Sequence, residues 1–249
     1  MPPDALPYRD FPYPLNVFMH VLTQEEGGVS HLHYGLFERP DEPIRDAQEH
    51  STELLVNSLP PPPARVLEVG AGLGTTLARL TRLGYDVVGI TPDEKQIAMV
   101  RERYGDAVRI EQIAFEDFPP RPVRVVVFQE SSQYIDATVL FAKAAKITEE
   151  VIVIDEFATR SGGTLHRLDG FLRAASGAGF TLLDHIDLSS KAAPTVDYFI
   201  ERLPRYRGAL ISDLGLTSDQ IDELIASGAR YREQYATGGY VYRLLRFCR

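Results

Sequence analysis

The stretch Val66–Thr76, VLEVGAGLGTT, constrains the fold of this chain more than any other. A short apolar strand pattern runs into a turn with glycine at every second position, Gly70, Gly72 and Gly74, and a segment with helical spacing begins at Thr75. Between a strand and a helix, such a turn lets the backbone approach a ligand closely and points a helix N-terminus at it. Glycine-rich turns of this kind usually cradle phosphate, yet Glu68 stands just before this one, and a carboxylate repels a phosphate. The nicotinamide-binding pattern also wants its third glycine one position later, where Thr75 stands. The residues therefore point to a ligand that is cationic at this end.

The rest of the chain alternates in the way this turn requires. Ala64–Val69, Asp86–Ile90, Ala107–Ile113, Val123–Phe128 and Val151–Phe157 are short β-branched runs that read as strands. Thr75–Leu83, Asp93–Tyr104, Asp136–Lys146 and Leu165–Ala178 have helical spacing. Alternation of this kind predicts an α/β fold, a Rossmann-like, mostly parallel sheet with helices on both faces. Runs from Phe180 and Gly239 complete a seven-stranded sheet whose last strand is antiparallel. Between them, helical patterns at Val196–Ser212 and Ser218–Ala236 form an insertion far longer than a strand connection needs, and it reads as a helical lid between strands 6 and 7. Leu15–Gln24 and Pro43–Leu59 read as N-terminal helices, and the proline-rich first 14 residues as an extended arm.

At 249 residues and 44% hydrophobic content, the chain suits one domain with embellishments. Residues 1–62 form the arm and helices, 63–188 the cofactor-binding core, 189–238 the lid and 239–249 the last strand. The single cysteine, Cys248, allows no internal disulfide, and the opening residues lack a secretory pattern, so the expected location is cytoplasmic. No apolar stretch approaches the ~20 residues of a spanning helix, which excludes integral membrane association. A net charge of −9 disfavours nucleic acid as a partner. A homodimer stays open.

Four further stretches join LEVGAGLG in a family resemblance. Residues 30–160 resemble the class I S-adenosylmethionine-dependent methyltransferases, and within them the group of cyclopropane fatty acid synthases and of sterol and geranyl diphosphate C-methyltransferases. VVGITPDEKQ is similar to the group's second motif through Thr91, Pro92 and Gln96, and AFEDF to its third through Ala114, Phe115 and Glu116. LHYGLF is similar to the N-terminal segment that closes over the cofactor, with Tyr34 and Gly35. QESSQY is similar to the stretch after strand four, with Gln129 on the cofactor side and Glu130 and Tyr134 beside the substrate. The resemblance implies S-adenosylmethionine as cofactor and S-adenosylhomocysteine as product, bound by these residues together with Glu68, Gly70, Gly72 and Gly74. A ligand with an ammonium, a sulfonium and no phosphate also answers the placement of Glu68.

Each motif residue has a plainer alternative. Phe115 could stack on adenine or simply fill the core. Thr91 stands where the wider class carries an acid for the ribose; Asp93 could substitute for that acid or cap the next helix. Glu130, just past the fourth strand, is the best candidate for contact with the acceptor. It could stabilise a carbocation and remove its proton, or orient an amine or hydroxyl, or merely cap a helix. His33, alternating with His31, is taken as a pocket or packing residue with a candidate catalytic role; no third ligand with metal spacing follows, so no metal is expected. The expected activity is methyl transfer to a small-molecule acceptor, C-methylation of an isoprenoid or lipid-like substrate, with N- or O-methylation of a small metabolite as the alternative. A prenyl diphosphate would need a cationic cluster, and Arg121, Arg124, Arg202, Arg205 and Arg207 show no pattern of one.

Overall fold

The β-branched runs pair into one seven-stranded sheet in the computed structural model, which describes residues 6–161 and 163–249. Its strands are β1 (Arg65–Val69), β2 (Asp86–Thr91), β3 (Ile110–Gln112), β4 (Val125–Gln129), β5 (Glu150–Ala158), β6 (Thr181–Asp187) and β7 (Tyr240–Cys248). They lie in the order β3-β2-β1-β4-β5-β7-β6. The first five are parallel, as the alternation predicted, and β7 runs antiparallel to both of its neighbours, as expected of the last strand. β5 is buried along its whole length and β4 along all but its last residue, the pattern of parallel strands covered on both faces.

The helices that cover the sheet are placed by their apolar positions. On one face, Phe141 of α5 (Ala137–Ala144) meets Phe171 of α6 (Leu168–Gly177) and Phe247 of β7 edge-on, at 5.0 and 5.2 Å between ring centres. On the other, α2 (Ile44–Ser58), α3 (Thr75–Arg82) and α4 (Glu94–Tyr104) bury Leu55, Leu77 and Val100. Asp93 accepts from the N–H groups of Lys95 and Gln96 at 2.8 and 3.2 Å, so it caps α4. The order of strands reverses between the parallel neighbours β1 and β4. The crevice at their carboxyl ends, faced by the glycine turn and by residues 129–134, is where open α/β sheets hold ligands.

Several expectations change at the edges. The third strand contracts to three residues because Gly105–Ala107 forms a 3₁₀ turn. The helix expected from Leu165 starts at Leu168, since Arg167 is extended and bridges to Ala158. A short helix, α7 (Ser189–Ala192), precedes the two expected in the insertion, α8 (Pro194–Leu214) and α9 (Ser218–Ala236). Residues 6–14 are turns rather than an extended arm: Arg9 and Phe11 N–H bond back to Leu6 and Tyr8, and Tyr8 and Phe11 are buried. Residues 1–5 of the expected arm lie outside the described residues.

Apolar side chains explain that burial. α1 (Leu15–Glu26) is buried through Val17, Met19 and Val21, and shares a cluster with Leu203 and Leu210 of α8 and Ile221 of α9. Tyr8 lies 3.3 Å from His20 Nδ1, and Asp213 of α8 lies 3.7 Å from the same ring's Nε2. The first residues and the late insertion thus pack together beside the crevice. Among the core residues, Phe171 joins the most aromatic contacts, so Phe171→Ala is expected to cost about 3–5 kcal/mol in chemical denaturation. A loss below about 1 kcal/mol would show that this cluster does not consolidate its face of the sheet.

Candidate active site

Each glycine of the first turn has positive φ, +73° at Gly70, +53° at Gly72 and +75° at Gly74, but the three do different work. A Cβ on Gly70 would lie 2.4 Å from Ser131 Cβ, and one on Gly74 would lie 3.0 Å from Val100. These two let the turn pack against the end of β4 and against α4. At Gly72 the nearest protein atom would be Leu32 Cδ1 at an ordinary 3.6 Å, and the space beyond belongs to a cavity of about 380 Å³. That volume suits a small organic ligand.

Most of the residues singled out in the sequence surround this cavity: His33, Glu68, Gly70, Gly72, Thr91, Pro92, Gln96, Ala114, Phe115, Glu116, Gln129, Glu130 and Tyr134. Tyr34, Gly35 and Gly74 do not line it. Gly35 is packed against Ala47 and donates its N–H to Thr195 Oγ1 at 3.0 Å. Residues not singled out, among them Ser30, Leu32, Ile113, Ser131 and Gln133, complete the wall. Their small or apolar side chains gave no signal in sequence.

Local bonds hold the cofactor-side groups. Thr91 Oγ1 donates to Gln96 Oε1 at 2.8 Å, locking the end of β2 to the first turn of α4. Gln129 donates to Ser51 Oγ at 3.1 Å. Phe115 is buried and meets Phe128 edge-on at 5.3 Å, so it is at once core and cavity wall. Glu68 is 4% exposed, and its Oε2 has no hydrogen-bond partner among the described residues. Burial without a partner pushes its carboxyl up to about 8. A bound cation would relieve that penalty.

Glu130 sits at the far end. It is the one non-glycine with positive φ among the described residues, at +55°, a conformation that costs free energy and clusters at functional sites. Its Oε1 accepts from the Tyr34 N–H and from the Tyr242 hydroxyl, both at 2.5 Å. Burial outweighs these two bonds, and the carboxyl is pushed up to about 8. The Tyr34 and Tyr242 rings are stacked, 5.8 Å between centres. Tyr242 was missed in sequence because nothing in GYVYRLLRF marks one aromatic strand position above another. Tyr134 is 80% exposed at the mouth. Its short 3₁₀ turn is held by buried Asp155, which accepts from Ser132 N–H at 3.0 Å and Ser132 Oγ at 2.6 Å.

His33 is not free to act as a base. Its Nδ1 donates to the Tyr34 carbonyl at 3.0 Å, and its Nε2 faces Thr52 Oγ1 and His31 Nδ1 at 3.2 and 3.1 Å. Burial pushes its pKa down to about 3, so it is neutral, with both nitrogens committed. The five arginines considered for a diphosphate are paired elsewhere: Arg121 with Glu111, Arg124 with Glu150, Arg202 and Arg205 with Glu25, and Arg207 with Asp222. No Lys or Arg is among the residues lining the cavity.

Residues 66–150, from β1 to the start of β5, match the methyltransferase domain family. Over 100 residues the chain is 30% identical to a sarcosine/dimethylglycine N-methyltransferase of Aphanothece halophytica, covering 37% of this chain and 36% of that protein. The match thus spans about a third of the curated relative's length. The fold superimposes on a cyclopropane synthase of Mycobacterium tuberculosis with a TM-score of 0.79 and 18% identity, over 99% of this chain and 97% of that one. It also superimposes on a geranyl diphosphate C-methyltransferase of Streptomyces coelicolor, solved with Mg2+, geranyl diphosphate and S-adenosyl-L-homocysteine. There the TM-score is 0.68 and the identity 18%, over 98% of this chain and 99% of that one. At such identities the likeness establishes the fold.

The raised carboxyl of Glu68 makes a prediction about stability. From its ordinary value of 4.5 up to about 8, the unfolded chain loses this proton while the folded chain keeps it. Its contribution is therefore lost as pH rises through that window, by at most about 1.4 kcal/mol per pH unit. The stability difference between Glu68→Gln and the wild type, measured by urea denaturation without ligand, should grow in the variant's favour from pH 5 to pH 8. A difference that stays flat with pH would mean that Glu68 is ionised in the folded chain throughout.

Proposed function

Because the chain carries a methyltransferase domain in the class I fold, we propose that it transfers a methyl group from S-adenosylmethionine to a small-molecule acceptor held beside Glu130. The observation that carries this reading is Glu130 itself. It is a buried carboxylate in a strained backbone conformation, lining the cavity and oriented by Tyr34 and Tyr242.

The cavity fits the cofactor. Glu68, buried and without a partner, would hold the ammonium end, and Gly72 leaves the backbone open to it. Thr91 at the end of β2 and Gln96 in the first turn of α4 would meet the ribose, and Phe115 and Glu116 line the wall expected for the adenine. When bound, S-adenosylmethionine supplies a methyl group already activated by its sulfonium. What is left to the protein is alignment, exclusion of water and handling of the acceptor's proton. We read α8 and α9 as the lid that excludes water.

Two acceptor chemistries use such a carboxylate. With an alkene, Glu130 would stabilise the carbocation and take up the proton that quenches it, the C-methylation that QESSQY implies by resemblance. With an amine or hydroxyl, it would take the proton from the nucleophile. The cavity's lack of a lining Lys or Arg weighs against a diphosphate-bearing acceptor, and the N-methyltransferase relative supports the amine. An acceptor panel with labelled cofactor separates the two.

Calorimetry should show binding of S-adenosylhomocysteine and none of NAD, because no Lys or Arg among the lining residues meets a pyrophosphate; the reverse would sink the cofactor assignment. Glu130→Gln should lower turnover by about 10²-fold or more while leaving cofactor affinity nearly unchanged. In the wild type, kcat/KM should rise with pH toward about 8 as Glu130 loses its proton. Full activity in the variant would remove Glu130 from the chemistry.

A further inference from the structure

Behind Glu130, away from the cofactor cavity, a second buried acid has no role in the reading so far. Glu156 lies near the carboxyl end of β5, directly opposite Tyr242 in the antiparallel register with β7. It is 7% exposed, and its Oε1 is buried with no hydrogen-bond partner among the described residues. No Lys, Arg or His among the described residues forms an ion pair with it, and the charge nearest to it is another acid, Asp155. The Asp155 carboxylate is already satisfied by Ser132 and by the Glu156 N–H.

Tyrosines surround this acid. Tyr242 is its cross-strand neighbour, Tyr34 and Tyr235 pack against the same cluster as Tyr242, and Tyr231 lies one helical turn before Tyr235 on α9. Tyr34 is stacked on Tyr242, while Tyr231 meets Tyr240 edge-on at 5.0 Å. The Tyr235 hydroxyl is buried beside the Glu156 carboxyl, near enough to act on it as a donor but without a well-formed hydrogen bond. Three parts of the chain supply these rings: the segment before α2, α9 of the insertion, and β7.

An unpaired oxygen of a buried carboxylate is costly unless something cationic or hydrogen-bond-donating meets it. A phosphate or carboxylate would find no basic group beside Glu156 to meet it, and a hydrocarbon would leave the oxygen unmet. A positively charged nitrogen satisfies the carboxylate and the electron-rich ring faces together, the combination by which aromatic cages hold ammonium groups. We propose that Glu156, with Tyr34, Tyr231, Tyr235 and Tyr242, binds a protonated or quaternary ammonium group of the acceptor. This names the acceptor class, an alkylamine without an acidic group near its nitrogen, and it rests on the reading of Glu130 as the acceptor-side residue.

Binding of a matched pair tests it: choline as the cation and 3,3-dimethylbutanol as its neutral isostere, titrated in the presence of S-adenosylhomocysteine. The wild type should prefer the cation by about 10-fold or more. Glu156→Gln should abolish that preference while leaving S-adenosylhomocysteine affinity unchanged, which also shows that the variant is folded. Tyr231→Leu, a milder change at a partly exposed position, should weaken the cation by about 3-fold or more and the neutral isostere less. Equal binding of the two probes by the wild type, or a preference that survives in Glu156→Gln, would overturn the proposal. Failure of S-adenosylhomocysteine to bind the wild type would instead overturn the cofactor reading, and the two probes compared without it would still decide the cage.

Discussion

The buried carboxylate of Glu130 ties together parts of the chain that lie far apart in sequence. One oxygen accepts from a backbone N–H of the segment before α2 and from a hydroxyl on the last strand, while its own N–H bonds to Ile154 of β5. Strand β4 ends in a left-handed residue to bring this about. The cavity lies on one side of that junction and the stacked rings of Tyr34 and Tyr242 on the other. Moving any of the three supports would misplace the same oxygen.

Charge follows a consistent pattern across the crevice. Glu68, Glu130 and Glu156 are all buried acids whose pKa values are raised by desolvation, to about 8, 8 and 7. The basic side chains sit on the outer surface in ion pairs such as Arg65 with Asp86 and Arg246 with Glu150. Glu68, Glu130 and Glu156 each keep a proton toward neutral pH because burial disfavours the charged form, a cost that a positively charged ligand relieves as the proton leaves.

Much of this was legible in the sequence because it is written locally. The glycine turn, the strand-helix alternation and the insertion are periodicities and spacings, and the structure places Glu68, Gly70, Gly72, Thr91, Gln96 and Glu130 around one cavity as those motifs suggested. What was not legible depends on register and packing. Tyr242 reaches Glu130, and Glu156 faces Tyr242, only because β7 runs antiparallel beside β5 in one particular register. His33 looked available until Thr52 and the Tyr34 carbonyl took up its nitrogens. The proline-rich start read as an arm because Tyr8 and Phe11 find much of their apolar surroundings in α8 and α9, most of a chain length away.

That last packing has a consequence for how the molecule comes apart. The contacts between α1 and the α8–α9 pair join residues about 180 positions apart in sequence, and their apolar cluster is separate from the two that hold the sheet. Closing so long a loop is entropically expensive. A cluster apart from the two that hold the sheet is expected to open locally at a lower cost than global unfolding. Amide exchange in α1, α8 and α9 should then report an opening free energy below that of β1, β4 and β5, so that the crevice is uncovered far more often than the protein unfolds.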